Sequence, residues 1–191
     1  MTINNEDIVI KNEQVDLIKK FQSEKFHPYL WSFKLIDWFI FGSLTWEREG
    51  RRHDSFNAQT KRAMDFNNLI RAFCGKFKLR QENLSYYYAT EYGESGEAHF
   101  HFLIAKDRCS HLNADSCCEF LKEFWECKFR PFDSKHTIGA GTAAIMPYQD
   151  EINRLAGYQY CLKRERDDSG RERERYDHLS TELLKLIGAN N

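Results

Sequence analysis

At 191 residues, 41% hydrophobic and 15% aromatic, the chain is long enough to fill one core and short for two full domains. Its 28 basic and 29 acidic residues leave a formal charge of -1, which excludes a molecule that coats polyanions through bulk charge; any polyanion site must be local. No basic leader followed by an apolar stretch opens the sequence, and no apolar run nears the roughly 18 residues of a membrane span, so an intracellular protein is expected.

In chain order, residues 1–10 read as a leader. Asn12 to Phe26 carries Val15, Leu17, Ile18 and Phe21 at near-helical spacing behind Asn12 as cap, which predicts a first helix. WFIFGSLTW, Trp38 to Trp46, is aromatic and β-branched and predicts a buried strand, with Gly42 marking a bulge or a close approach of another group. Asn57 to Phe77 sets Ala63, Phe66, Leu69, Ile70 and Phe73 on one stripe, the pattern of an amphipathic helix lying on a sheet.

Two strand-like runs follow, Leu84 to Tyr92 and Ala98 to Ala105, joined by Gly93-Glu94-Ser95-Gly96, whose glycines suit a hairpin turn. Asn113 to Phe129 reads as a second amphipathic helix with Asn113 or Asp115 as cap and Cys117, Phe120, Leu121, Phe124 and Trp125 inward. A strand near Thr142 to Tyr148, a helix over Asp150 to Arg164 and a short helix over Leu179 to Ile187 complete the chain.

The charged run between Lys163 and Arg175 reads as a solvated helix or loop. Cys74, Cys109, Cys117, Cys118, Cys127 and Cys161 have neither C-x-x-C pairing nor zinc spacing, so free and mostly buried thiols are expected.

Without the terminal helices the order is β-α-β-β-α-β-α around an antiparallel hairpin. That order predicts an α+β fold of the ferredoxin-like or RRM-like split βαβ type, with the helices on one face of a central antiparallel sheet. The expected organisation is an N-terminal extension over 1–30, one functional domain over 31–165, and a charged C-terminal segment over 166–191 belonging to the same unit.

The chemistry concentrates in EAHFHFLI, Glu97 to Ile104. Alternate strand residues share a face, so His99 and His101 point one way while Phe100, Phe102 and Ile104 point to the core. Across the hairpin, Glu91 falls opposite or diagonal to His99. Two imidazoles and a carboxylate with positions left open suit a divalent ion such as Mg²⁺ or Mn²⁺ that polarises a phosphate oxygen. H-x-H alone is more often a solvent-facing pair; the hairpin and Glu91 tip the balance.

A second element is YQYCLK, Tyr158 to Lys163. Tyr160 and Lys163 share one helical face, whereas Tyr158 points well away from it. A phenol near pKa 10 needs a cation or metal to become a nucleophile. A buried tyrosine beside a snorkelling lysine is the competing reading of the same residues. No G-x-x-x-x-G-K-[ST] phosphate loop is present.

Taken in order, FGSLTW (Phe41 to Trp46), HFH (His99 to His101) with Glu91 upstream, and YCLK (Tyr160 to Lys163) resemble the motifs of the HUH endonucleases. The likeness is to the single-tyrosine replication initiators, the Rep proteins, of rolling-circle plasmids and small single-stranded DNA viruses.

The resemblance implies metal ligands at Glu91, His99 and His101, a nucleophile at Tyr160 and an assisting lysine at Lys163. It further implies that the strand residues Ser43 to Trp46, among them Thr45, support the site or the DNA. The implied activity is transesterification: Tyr160 attacks a phosphodiester of single-stranded DNA at an origin hairpin, leaving a 5′-phosphotyrosine and a 3′-OH that primes rolling-circle replication.

A helicase and a polymerase would come from the host, and the expected compartment is the cytoplasm of a prokaryote or the nucleus of a virus-infected eukaryotic cell. Arg51, Arg52, Lys76, Lys78 and Arg80 are candidates to follow the DNA backbone, and Tyr87 and Trp46 to stack bases. Two alternatives stand beside this reading: a non-enzymatic RRM-like nucleic-acid-binding module, and an HUH relaxase or transposase.

Overall fold

WFIFGSLTW forms strand β1 (Trp38–Trp46) in the computed structural model, which describes residues 30–46, 56–92, 98–126, 140–149, 156–162 and 175–189. The remaining described elements are α1 (Leu30–Lys34), α2 (Phe56–Phe77), β2 (Tyr86–Tyr92), β3 (Ala98–Ala105), α3 (Ala114–Trp125), β4 (Ala140–Pro147), α4 (Gly157–Leu162), β5 (Arg175–Leu179) and α5 (Thr181–Ala189). A 3₁₀ turn over Gln81–Asn83 leads into β2. The expected helix over Asn12 to Phe26 and the hairpin turn Gly93 to Gly96 lie outside the described residues.

Among the described residues the sheet has five strands in the order β4-β1-β3-β2-β5, every neighbouring pair antiparallel. The first four occupy the positions of a split βαβ arrangement. β5 extends the sheet beyond β2. The fold is α+β with flanking helices, as the element order predicts.

The helices lie on both faces of the sheet, which corrects the one-face expectation. One core contains Ile40, Leu44, Phe100, Phe102, Ile104, Tyr86 and Tyr88 from the strands, packed with Phe66, Leu69, Ile70 and Phe73 of α2 and Cys117, Leu121 and Trp125 of α3. At its centre the Phe66 ring meets Tyr86, Tyr88, Phe100 and Phe102, with centroids 5.9, 4.5, 5.9 and 5.4 Å away. The opposite core gathers Trp38, Phe41, Tyr87, Ala89, Leu103 and Ala105 beneath Phe33 of α1, Cys161 and Leu162 of α4, and Leu183 and Ile187 of α5. Strands buried on both faces lose the apolar-polar alternation of a half-exposed sheet.

Gly42 pairs with Phe102 across β1 and β3, and a Cβ there would stand 2.1 Å from Phe102 Cε1. The close approach expected at this glycine is therefore made by an aromatic ring. α3 starts as its cap predicts, the Asn113 side chain accepting a hydrogen bond from Ser116 N–H at 2.9 Å. The C-terminal helix runs over Thr181–Ala189, and the residues before it, Arg175–Leu179, form β5, a strand the sequence pattern did not predict.

Candidate metal centre

β2 and β3 pair with Glu91 directly opposite His99 and Ala89 opposite His101, so alternation brings both imidazoles and the carboxylate to one face at one end of the hairpin. His99 Nε2 lies 3.4 Å and His101 Nε2 3.5 Å from the same oxygen, Glu91 Oε2. One donor atom from each of the three residues falls within 4.8 Å of the others, the one such cluster of three or more potential ligands among the described residues.

These separations exceed the usual hydrogen-bond length of about 2.9 Å. They match what an ion imposes: two donors about 2.1–2.2 Å from a cation at 90–110° stand about 3.0–3.5 Å apart. One carboxylate and two neutral imidazoles are a borderline-hard donor set suited to first-row divalent ions and compatible with Mg²⁺. The residues fit a divalent metal.

The two histidines are not equivalent. His99 is half-buried, whereas His101 is only 5% exposed. Both were expected to face solvent; α4, lying over that sheet face, covers His101. Its ring stacks near Phe41 (6.3 Å, 12°), meets Tyr160 edge-on (5.0 Å, 87°), and lies 4.8 Å from the His99 ring at 81°. Phe41 also meets Tyr160 edge-on at 5.8 Å.

α4 is a six-residue helix whose local sequence explains the placement of Tyr160. Gln159 Oε1 accepts from Ala156 N–H at 3.0 Å, a side chain reaching back to the helix start, and Tyr160 N–H donates to Ala156 O at 3.0 Å. Cys161 and Leu162, both fully buried, anchor the helix in the second core, leaving Tyr160 half-buried at its rim. Tyr158 packs against the same core.

Ser43 pairs with His101 across β1 and β3, and its Oγ lies 2.6 Å from His101 Nδ1. Thr45 pairs with His99 in the backbone, while its hydroxyl accepts from Thr142 N–H at 2.8 Å and so ties β1 to β4. Trp46 ends β1 opposite Ala140. Its side chain, with Arg51, Arg52 and Lys163, lies outside the described residues.

Tyr87 corrects an expectation. Its side chain is fully buried, edge-on to Phe33 at 5.0 Å, with its hydroxyl donating to Asp177 Oδ1 at 2.5 Å. It is a core residue and offers no face to a base. Lys76, Lys78 and Arg80 are exposed or half-exposed, but they lie where the chain enters β2. Glu91 is five strand residues beyond Tyr86, about 17 Å at 3.3–3.4 Å per residue, so those cations flank the far end of the sheet.

Phe41, which walls both His101 and Tyr160, was missed as a site residue. Its two-residue spacing from Ser43 was legible in the sequence; the β1–β3 register that puts both beside His101 was not.

The protein is thus an α+β chain in which one sheet end gathers a carboxylate and two imidazoles beside a tyrosine. Residues 39–165 match the family model of the replication-associated protein ORF2, and the chain belongs to that family. The match contains every residue of the cluster, Tyr160 and Lys163. No curated protein matches the chain. Among the described residues, no helix is long and apolar enough to cross a membrane.

Proposed function

We propose that this replication-associated protein is an HUH-type, metal-dependent endonuclease and strand transferase that nicks single-stranded DNA at a replication origin. The observation that carries the reading is the convergence of Glu91, His99 and His101 on one point with the Tyr160 ring 5.0 Å from His101.

Glu91, His99 and His101 would hold Mg²⁺ or Mn²⁺, which when bound supplies positive charge beside the phosphate and stabilises its transition state. Tyr160, held by the anchored helix α4 and the walls of Phe41 and His101, is the nucleophile. Its oxygen forms a bond to phosphorus as the bond from phosphorus to the 3′ oxygen breaks; the phenol proton leaves to solvent, and the 3′ oxygen takes a proton to become a 3′-OH. The 5′-phosphotyrosine retains the ester, so attack by a 3′-OH reverses the step and joins strands.

Lys163 follows Tyr160 by three positions in the sequence and would offset charge on the phenolate. Single-stranded substrate suits the site because a phosphate in unperturbed duplex cannot reach an ion seated on a sheet in the required geometry. The 3′-OH primes rolling-circle replication, with a host helicase and polymerase as partners.

The test is incubation of the protein with stem-loop oligonucleotides in Mn²⁺ or EDTA, for wild type and Tyr160→Phe, read on a denaturing gel. A covalent protein–DNA band that requires Mn²⁺ and disappears in Tyr160→Phe is expected. A metal-independent binding complex with no adduct on any origin sequence of the parent replicon would instead favour a binding module.

A further inference from the structure

An imidazole offers one lone pair when neutral, and the nitrogen that carries the proton is set by the partner of the other. His101 Nε2 stands 3.5 Å from Glu91 Oε2, while Nδ1 stands 2.6 Å from Ser43 Oγ. The ring is nearly enclosed, with Phe41 along one side and Tyr160 edge-on. Phe41 has no polar atom with which to prefer one tautomer, whereas Ser43 and Glu91 each face one ring nitrogen.

We infer that Ser43 is a positioning residue for the metal centre, accepting Nδ1–H of His101 so that Nε2 keeps its lone pair toward Glu91 and His99. This rests on the metal-centre reading above and adds to it the residue that selects the ligating tautomer. The opposite tautomer would carry a proton on Nε2, between the ring and Glu91, where an ion must sit. The sheet makes the arrangement rigid: Ser43 and His101 are direct cross-strand partners, and Gly42, beside Ser43, is locked against the buried Phe102 ring. A hydroxyl suits the role because it accepts from Nδ1 without bringing a second charge toward Glu91.

The test measures Mn²⁺ binding to the purified full chain by electron paramagnetic resonance, without DNA, for wild type, Ser43→Ala, Ser43→Thr, Ser43→Val and Glu91→Gln. Long-range ¹⁵N–¹H spectra of the metal-free proteins read the His101 tautomer. Ser43→Ala and Ser43→Val are expected to bind Mn²⁺ about 10- to 100-fold more weakly, the usual cost of losing an outer partner of a ligating histidine. Their His101 signals should shift from the Nδ1–H form to a mixture, while Ser43→Thr keeps wild-type binding and tautomer.

The Thr and Val pair has the same shape and suits a strand, so it isolates the hydroxyl even where the alanine variant is destabilised. Wild-type affinity in Ser43→Val, with Glu91→Gln defective, overturns the role of Ser43 and leaves the metal centre standing. A wild type that binds no Mn²⁺ overturns both.

Discussion

His101 and Tyr160, from a central strand and a short helix, meet edge to face with ring centroids 5.0 Å apart, and the same histidine reaches Glu91 from its Nε2. One residue thus belongs both to the candidate metal centre and to the packing of α4. His101→Ala should cost about 2–4 kcal/mol by opening a space under Phe41 and Tyr160. His99→Ala, at a half-buried position, should stay within about 1 kcal/mol of wild type. Urea unfolding in EDTA separates the two; equal costs would show that α4 does not rest on His101.

Mn²⁺ should raise the melting temperature of the wild type, because an ion that binds only the folded chain stabilises it by about 2.7 kcal/mol at a hundredfold excess over Kd. Glu91→Gln keeps the shape and removes the charge of the one carboxylate in the cluster, so the shift should vanish. A shift that persists in Glu91→Gln would place the ion elsewhere.

Two glycine substitutions should have opposite signs. Gly42→Ala puts a methyl 2.1 Å from the ring of fully buried Phe102, so β1 and β3 must separate locally at a cost of about 1–3 kcal/mol or more. Because Ser43 and His101 are the next pair in that ladder, Mn²⁺ affinity should fall as well. At Gly75 of α2 a Cβ meets nothing within 4 Å, and Gly75→Ala should stabilise by about 0.5–1 kcal/mol without touching metal binding. Thermal melts of both variants, with and without Mn²⁺, check the contrast.

The bounds of β1 and β3 and the facing of Glu91 and His99 were legible because each depends on local pattern: branched and aromatic runs, alternation, and a short hairpin. Burial on the second sheet face was not read, although its signal was present. Ser85 to Thr90 and Phe100 to Ala105 are buried without a break, and a continuous apolar run is how a doubly covered strand looks. Reading those runs as half-exposed strands sent His101 and Tyr87 to solvent.

α1 and β5 escaped for another reason. LWSFK has too few residues to show a period, and RYDHL is a short, polar edge strand at the end of a charged run. Ser43 was legible as a residue supporting the site or the DNA; its hydrogen bond to His101 depends on a register that one strand's sequence does not contain.

The buried thiols give the last prediction. Cys109 and Cys118 are pushed up to about 12, and Cys74 and Cys117 to about 11, all mainly by burial, with neighbouring thiols and carboxylates adding to the shift for all but Cys117. A native thiol pKa above the unfolded value means that the protonated form is the one that packs. The resulting stability is fully present below about pH 8.5, where unfolded thiols are protonated. Above that the unfolded chain holds fewer protons than the native one, so stability falls as pH rises toward the native values of about 11 to 12.

Urea midpoints should therefore drop between about pH 8 and pH 10. Replacing Cys118 with alanine should flatten that fall while costing core packing at every pH. Because the thiolate is the reactive form, these four cysteines should resist iodoacetamide at about pH 8 in the native protein and react at the rate of global unfolding. Rapid alkylation of Cys109 or Cys118 without loss of structure would show that α3 opens from the sheet on its own.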